Sequence, residues 1–261
     1  MVKTALITGA SGGIGYEFAK IFAEKQNDLV LVARSLDKLE KIKESLEEKY
    51  HINVLIIPKD LTEEGAAQAV YDEVNAAGAE VEYLVNNAGF GDNNAFHDTA
   101  LSVQENMVKL NVLALTQFTH LFGNDMKKRG SGKILNIASI AAFSAGPYMS
   151  VYYASKAFVL YLSEAVSEEL RPHGVTVTCL CPGPTNTGFE AVADLEKARM
   201  FKFFKPAEAK DVAEYGYKAM MGNRTVIVAK GVKSTTVLSK LAPRIICRKF
   251  SKWINSPYKK S

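Results

Sequence analysis

The sequence predicts an α/β protein built on a doubly wound parallel sheet. Two observations lead to this prediction. Short apolar runs typical of buried strands alternate along the chain with longer stretches whose apolar residues recur at helical spacing. Nearly every candidate motif also falls where one of these apolar runs ends. Both features are typical of β-α-β units, in which helices cover both faces of the sheet and ligands bind at the carboxyl ends of the strands.

The chain of 261 residues contains 48% hydrophobic residues, which is enough to bury a substantial core. No linker is recognisable, because even the polar run 35–49 carries apolar residues at helical spacing. We therefore predict a single domain over residues 1–261. Its motif-bearing core covers about 3–230, and a basic extension covers about 231–261.

The first predicted strand, 4–8, runs into a glycine turn at 9–15, which a helical pattern follows. Glycines let the backbone turn sharply and approach a ligand closely, and the amides at a helix start suit a pyrophosphate. A generic turn is the plainer interpretation, but the flanking strand and helix favour a dinucleotide site of Rossmann type. The predicted cofactor contacts in this turn are Gly9, Ser11, Gly13, Ile14 and Gly15.

The second strand, 29–33, ends at Arg34 and Ser35. In dinucleotide folds an acidic residue at this place binds the adenosine ribose and repels a 2′-phosphate, whereas an arginine favours that phosphate. Arg34, with Ser35 beside it, therefore predicts NADP(H) as the cofactor. The alternative is an arginine that merely ends a strand.

Three further strands, 54–58, 81–85 and 133–138, deliver polar residues to the same edge of the predicted sheet. The fourth strand ends in Asn86-Asn87-Ala88-Gly89, a turn suited to packing against a cofactor, with contacts predicted at Asn87, Ala88 and Gly89. The fifth strand delivers Ser139, whose hydroxyl can hold a substrate oxygen.

Tyr152 and Lys156 are four residues apart on a predicted helix, so their side chains lie on nearly the same face. A nearby ammonium favours the phenolate, so we expect Lys156 to lower the pKa of Tyr152 from its ordinary value near 10. Tyr152 then becomes a candidate acid/base catalyst. Alone, this spacing more often marks an amphipathic surface pair.

Together, the GxxxGxG turn, Asn86–Gly89, Ser139 and the Tyr152–Lys156 pair resemble the short-chain dehydrogenase/reductase family. The resemblance implies an NADP(H)-dependent oxidoreductase that transfers a hydride between nicotinamide and a ketone or secondary alcohol. It also implies a homodimer or homotetramer. Tyr152 would be the acid/base, and Lys156 would bond the nicotinamide ribose, so both would contact the cofactor.

The same resemblance assigns further residues. Asn111, inside an apolar helix predicted at 102–125, would bend that helix and hold a water of the proton relay. Asp60 and Leu61 match the pair beside the adenine. The segment 182–187 matches the family's PGxxxT, in which the threonine meets the nicotinamide carboxamide. Its predicted contacts are Pro182, Gly183, Thr187 and, as an alternative hydroxyl, Thr185.

Residues 188–207 have an apolar character that suits a lid over a hydrophobic substrate, although a surface helix would look similar. The residues behind this prediction are Phe189, Met200, Phe201, Phe203 and Phe204. Small ketones or keto esters, 3-oxoacyl thioesters and steroid-like alcohols remain open as substrates, with carbonyl reduction as the expected direction. A regulator that senses NADP(H) without turnover is the alternative from another class.

Several classes of protein are disfavoured. No apolar run approaches the roughly 18 residues of a membrane-spanning helix, and the strand at 4–8 leaves no room for a signal peptide, so we expect a cytoplasmic enzyme. Three cysteines and four histidines show no spacing typical of a disulfide framework or a metal site. No nucleic-acid partner is predicted.

The net charge is only +4, yet no acidic residue follows Glu214, whereas eleven lysines and arginines do. A helix over 244–254 would separate an apolar arc from a basic arc. The apolar arc comprises Ile246, Phe250, Trp253 and Ile254, and the basic arc comprises Arg244, Arg248, Lys249 and Lys252, with Ile245 among the basic residues. We expect the apolar arc to pack on its own domain or on another subunit. An anionic membrane surface and an acidic partner such as an acyl carrier are the alternatives.

Overall fold

The computed structural model describes residues 2–188, 199, 205–228 and 242–256. Seven parallel strands form its central sheet: β1 (Thr4–Thr8), β2 (Asp28–Ala33), β3 (Val54–Pro58), β4 (Val81–Asn86), β5 (Gly132–Ile137), β6 (Val175–Cys181) and β9 (Val226–Val228). Their spatial order is β3-β2-β1-β4-β5-β6-β9. Two short strands, β7 (Thr185–Asn186) and β8 (Ala207–Glu208), pair in a separate sheet.

Helices connect the strands. They are α1 (Gly13–Glu24), α2 (Leu36–Tyr50), α3 (Ala66–Ala76), α4 (Leu101–Val108), a π-helical segment (Lys109–Ala114), α5 (Leu115–Arg129), α6 (Ser150–Leu170), α7 (Ala209–Met221) and α8 (Arg244–Asn255). Two short 3₁₀ turns, Ile140–Phe143 and Arg171–His173, complete the set seen in the described residues.

The helices cover both faces of the sheet. Within β1, Ala5 and Ile7 pack against the layer of α1, α2 and α7, whereas Leu6 packs against the layer of α3 and α5. Every residue of β1 is buried, because side chains alternate between two covered faces. The predicted doubly wound parallel sheet is confirmed, and the carboxyl ends of its strands meet at one edge.

One predicted helix differs in detail. The helix expected at 102–125 is three consecutive elements, α4, the π-helical segment and α5, and it runs on to Arg129. Three basic residues occupy the last turn of α5, and Gly130 follows in a left-handed conformation (φ 77°). Both features stabilise a helix end, which explains why the helix stops there.

The C-terminal helix α8 has almost the predicted extent, but a different face of the helix packs against the rest of the protein. Its buried residues are Ser251, Ile254 and Asn255, so only Ile254 of the predicted apolar arc is buried. Two of the three packing residues are polar, and hydrogen bonds hold them in place. Among the described residues, no helix is long and apolar enough to cross a membrane.

Candidate active site

The glycine turn packs directly on the end of β4. Gly9 has a left-handed backbone (φ 66°), and a Cβ atom there would lie 2.9 Å from Cα of Ala88. A Cβ atom on Gly15 would clash with the carbonyl oxygen of Gly9. Only glycine fits such contacts, so the turn keeps its backbone close to the cavity that it borders.

Thr8 and Asn87 join the ends of β1 and β4. The Asn87 side-chain amide donates to the carbonyl oxygens of Thr8 (3.0 Å) and Gly9 (3.2 Å). The Thr8 hydroxyl oxygen in turn accepts from the backbone amides of Asn87 and Ala88, both at 3.0 Å. Asn87 therefore holds the glycine turn in shape. The sequence analysis missed Thr8, which closes this network.

A cavity of about 1120 Å³ runs along the carboxyl ends of the strands. It exceeds the roughly 300–1,000 Å³ of a typical single-ligand pocket, so it has room for a dinucleotide and a second molecule. Most predicted site residues line it: Gly9, Ser11, Gly13, Ile14, Arg34, Asp60, Leu61, Asn87, Ala88, Gly89, Ser139, Tyr152, Lys156, Pro182, Gly183, Thr185 and Thr187.

Three predicted residues do not line the cavity. Gly15 packs against Gly9 and Asn87 and so supports the glycine turn from outside the cavity. Ser35 is the residue that precedes α2, so its position belongs to the start of that helix rather than to the cavity wall. Asn111 is fully buried behind the wall. Ser35 therefore stays a prediction as a cofactor contact, whereas the other two support residues that do line the cavity.

The end of the cavity near β2 and β3 is positively charged. Arg34 lines it together with Lys38 and Lys59, two lysines that the sequence analysis missed. Nearby, burial alone would raise the pKa of Asp60, but hydrogen bonds from Thr62 and the charge of Arg34 outweigh it and leave the pKa below its ordinary value. Three cations at this end fit a phosphate group on the adenosine ribose.

Ser139 and Tyr152 lie next to each other in the lining of the cavity. The phenol of Tyr152 hydrogen-bonds to the side chain of Ser139. Ser139 is the donor in this bond, because the bond lowers the pKa of Tyr152, and the Ser139 hydroxyl oxygen accepts from the backbone amide of Ala141 at 3.1 Å, at the start of the 3₁₀ turn after β5. Two partners thus fix the Ser139 hydroxyl beside the phenol, where both groups can reach one substrate oxygen.

The expected effect of Lys156 on Tyr152 is wrong in this structure. Burial raises the pKa of Tyr152 to about 12, and the hydrogen bond from Ser139 only partly offsets this effect. The Lys156 Nζ lies 5.8 Å from the centroid of the Tyr152 ring and donates to the carbonyl oxygen of Ile137 at 2.9 Å. Burial lowers the pKa of Lys156 itself to about 8. Tyr152 is therefore a protonated phenol at neutral pH, which is the form that donates a proton.

Asn111 lies in the π-helical segment, so the predicted distortion of its helix is present. Its amide nitrogen donates to the carbonyl oxygen of Phe90 (2.9 Å) and to Ser155 Oγ (3.1 Å). Its Oδ1 accepts from the amide of Phe90 at 3.1 Å. Asn111 therefore ties the loop after β4 to the helix that carries Tyr152 and Lys156. Its role in holding a relay water stays a prediction.

The segment 182–187 crosses the glycine turn. Thr185 Oγ1 donates to the carbonyl oxygen of Gly183 at 2.9 Å, and Thr187 Oγ1 donates to that of Thr185 at 3.4 Å. A Cβ atom on Gly13 would lie 3.0 Å from Cβ of Thr187. Both threonines thus reach the cavity beside the glycine turn. The predicted lid residues Phe189, Met200, Phe201, Phe203 and Phe204 lie outside the described residues.

The substrate end of the cavity has a wall that the sequence did not predict. Helix α8 contributes five residues beside the segment that precedes Tyr152: Ile246, Cys247, Phe250, Ser251 and Ile254. Phe143 and Met149 line the same region. This wall is mainly apolar, and it adjoins the hydroxyls of Ser139 and Tyr152, so it favours an apolar molecule with one polar reacting group.

Comparison with known proteins agrees with this geometry. The family model described as short chain dehydrogenase matches residues 3–198. The chain belongs to the short-chain dehydrogenase family. It is therefore an oxidoreductase.

Relatives and solved structures match most of the chain. A ketoacyl reductase of Nostoc sp. is 30% identical over 240 residues, which cover 92% of this chain and 82% of that protein. The very-long-chain 3-oxoacyl-CoA reductase of Anas platyrhynchos is 30% identical over 226 residues, covering 84% of this chain and 67% of that protein. The structure of a short-chain dehydrogenase from Sphingobium yanoikuyae in complex with NADPH is 30% identical, with a TM-score of 0.84 and 92% of each chain covered.

The residues present fit a dinucleotide. The glycine turn presents bare backbone to the cavity, the three cations near the ends of β2 and β3 lie at one end, and the hydroxyls of Ser139 and Tyr152 lie at the other. A reduced nicotinamide, when bound, supplies a hydride. The chain's own contribution is to orient the substrate oxygen, exclude water with apolar walls and deliver one proton from the Tyr152 hydroxyl.

Proposed function

We propose that this protein uses NADPH to reduce a ketone carried on a large apolar substrate. The observation behind this proposal is that apolar residues of α8 and of the loop before α6 adjoin the Ser139–Tyr152 pair in one cavity. Apolar walls with few polar groups select ligands by buried area and fix their orientation at the polar end. NADP(H) as the cofactor is supported by Arg34, Lys38 and Lys59, and by the NADPH complex of the similar Sphingobium enzyme.

Tyr152 can serve as the proton donor in the reduction of a ketone. Ser139 holds the ketone oxygen, the carbonyl carbon receives a hydride, and the Tyr152 phenol gives its proton to that oxygen to form the alcohol. This step requires the protonated phenol, which a tyrosine already is at neutral pH, and burial raises the pKa of Tyr152 further, to about 12. Buried Lys156 then stands behind the phenol as a source of positive charge for the phenolate that forms.

A 3-oxoacyl thioester is the second candidate substrate. Two relatives at 30% identity are named as reductases of ketoacyl compounds, one of them of very-long-chain 3-oxoacyl-CoA. Such a molecule carries the same ketone on a long apolar chain, so the same cavity wall suits it. A sensor without turnover is disfavoured, because it has no need of the Ser139–Tyr152 hydrogen bond or of a buried lysine.

The preference for apolar substrates is testable with a homologous series. We expect kcat/KM for NADPH-dependent reduction to rise with each added methylene, because each buried methylene contributes about 0.8 kcal/mol, or about fourfold. Matched ketones and 3-oxoacyl thioesters of equal chain length separate the two candidate classes. Rates that stay flat or fall as the chain lengthens would show that the apolar wall does not bind substrate.

A second exposed apolar surface supports the proposal that the protein forms a homo-oligomer. Adjoining elements α4, the π-helical segment and α6 expose large apolar side chains at Leu101, Val108, Leu113, Phe158 and Tyr161. Exposed apolar clusters of this kind mark protein interfaces. We expect sedimentation equilibrium to give a multiple of the chain mass, and Phe158→Glu with Tyr161→Glu to shift it toward the monomer. A monomeric wild-type protein would contradict the proposal.

A further inference from the structure

Hydrogen bonds between buried and half-buried groups fix the orientation of α8. Asn255 accepts from the Tyr153 hydroxyl at Oδ1 and donates from Nδ2 to the carbonyl oxygen of Pro147, both at 3.1 Å. The hydroxyls of Ser251 and Ser144 lie 3.1 Å apart. Since the partner groups belong to the loop before α6 and to α6 itself, the helix cannot rotate without losing them.

This orientation leaves apolar side chains of α8 outside. Ile245, Ile246, Phe250 and Trp253 are 52%, 57%, 53% and 42% exposed. A surface helix ordinarily buries its apolar stripe, whereas α8 buries Ser251, Ile254 and Asn255 instead. The rings of Phe250 and Trp253 lie 5.9 Å apart, and Ile246 lies on the same arc of the helix, so these three residues form one apolar surface, whereas Ile245 lies among the basic residues. Continuous apolar surface of this kind marks a binding site for a protein or a membrane.

The exposed apolar surface adjoins the mouth of the catalytic cavity. Ile246 and Phe250 are both exposed to solvent and part of the cavity lining. Whatever covers the outside of α8 therefore stands next to the entrance through which an apolar molecule reaches Tyr152.

Four exposed cations flank the apolar surface: Arg244, Arg248, Lys249 and Lys252. The helix has no acidic residue, and none follows Glu214 in the sequence. Among the residues that the structure describes, no carboxylate lies within ion-pair distance of these four side chains. Within the part of the chain that the structure describes, no ion pair neutralises these charges, which fits an anionic partner.

We propose that α8 binds an anionic membrane surface and holds the mouth of the catalytic cavity against the lipid. Aromatic and aliphatic side chains at the headgroup boundary, with cations beside them for lipid phosphates, are the features of an interfacial helix. A second copy of the chain fits less well, because a two-fold contact through this face would bring the same four cations together. The proposal goes beyond the proposed reaction and does not depend on it.

The test measures sedimentation of the full-length protein with phosphatidylcholine vesicles that contain or lack phosphatidylglycerol. We expect sedimentation only with the anionic vesicles. It should weaken between low (~0.01 M) and high (~1 M) ionic strength, because the Debye length falls from about 30 Å to about 3 Å. The emission of Trp253, the single tryptophan of the chain, should shift to the blue when anionic vesicles are added.

A charge-reversal variant supplies the matched comparison. Arg248→Glu, Lys249→Glu and Lys252→Glu alter exposed residues that do not line the cavity. Because each cation contributes about 1 kcal/mol at an anionic surface, this triple variant should lose more than about 100-fold in vesicle partition. The control reverses three exposed lysines on other helices or at their ends, Lys25, Lys41 and Lys127, and should retain binding.

Several results would overturn the proposal. One is the absence of sedimentation with anionic vesicles at low ionic strength. Binding without a change in Trp253 emission, or equal losses in the two triple variants, would place the contact elsewhere on the surface. A change of oligomeric mass in the α8 variant alone would identify a second copy as the occupant. A shift of Trp253 emission caused by an acidic acyl carrier protein, but not by vesicles, would identify a protein.

Discussion

Tyr152→Phe is expected to lower kcat for NADPH-dependent ketone reduction by about 10²- to 10⁴-fold, the range for loss of a positioned acid/base group. The substitution keeps the ring and removes the hydroxyl that hydrogen-bonds to Ser139. Binding of NADPH should remain, because the glycine turn and the cations near β2 are untouched. Steady-state kinetics, together with titration of NADPH fluorescence on the same variant, separates the two effects.

The neighbouring tyrosine supplies the control. The Tyr153 hydroxyl donates to Asn255 Oδ1 instead of facing Ser139. Tyr153→Phe should therefore lower the free energy of unfolding by about 1–3 kcal/mol, since it leaves a buried acceptor unpaired. Its kcat should stay within about tenfold of wild type. An inactive Tyr153→Phe protein beside an active Tyr152→Phe protein would mean that the two tyrosines have been assigned the wrong way round.

Arg34→Asp is expected to lower kcat/KM for NADPH by about 10- to 100-fold, as expected for the loss of a charge-assisted hydrogen bond worth about 1.5–3 kcal/mol. An aspartate also repels the 2′-phosphate, whereas it can accept a hydrogen bond from the ribose of NADH. Efficiency with NADH should thus be unchanged or higher. The measurement is kcat/KM for both cofactors at fixed ionic strength.

Lys41→Asp is the matched control for cofactor choice, because Lys41 lies on the same helix as Lys38 but outside the cavity. It makes the same change in net charge and should leave the ratio of the two efficiencies unchanged. A wild-type protein that already prefers NADH would refute the assignment of Arg34. A residual NADPH preference in Arg34→Asp is consistent with the account, since Lys38 and Lys59 remain.

Most of the fold was predictable, because the local sequence pattern and the burial of each strand point to the same secondary structure. The strands at 4–8 and 54–58 have the predicted ends, since each is an apolar run bounded by turn residues. The π-helical segment was not predictable in the same way. It depends on Asn111 bonding to Phe90 and Ser155, which are distant in sequence.

The candidate site likewise has some residues that the sequence predicts and others that it does not. Residues at strand ends were found because the topology gathers them at one edge, but Lys38 and Lys59 carry no motif. The pKa of Tyr152 was predicted with the wrong direction, because sequence spacing shows that Lys156 is near and does not show the burial that disfavours the phenolate. The packing edge of α8 was missed for a related reason. Amphipathicity predicts that apolar residues pack, whereas Asn255 and Ser251 have specific partners on the loop before α6 and on α6 itself.

Hydride transfer itself is the most direct test of the account. NADPH carrying deuterium at C4 of the nicotinamide ring, in each of its two stereochemical forms, is mixed with the wild-type protein and a long-chain apolar ketone or 3-oxoacyl thioester. The account predicts that one of the two forms places deuterium on the alcohol carbon, and that Tyr152→Phe slows its appearance by about 10²- to 10⁴-fold. Tight binding of NADPH with no labelled alcohol from any carbonyl compound would contradict it and would favour a sensor of NADP(H).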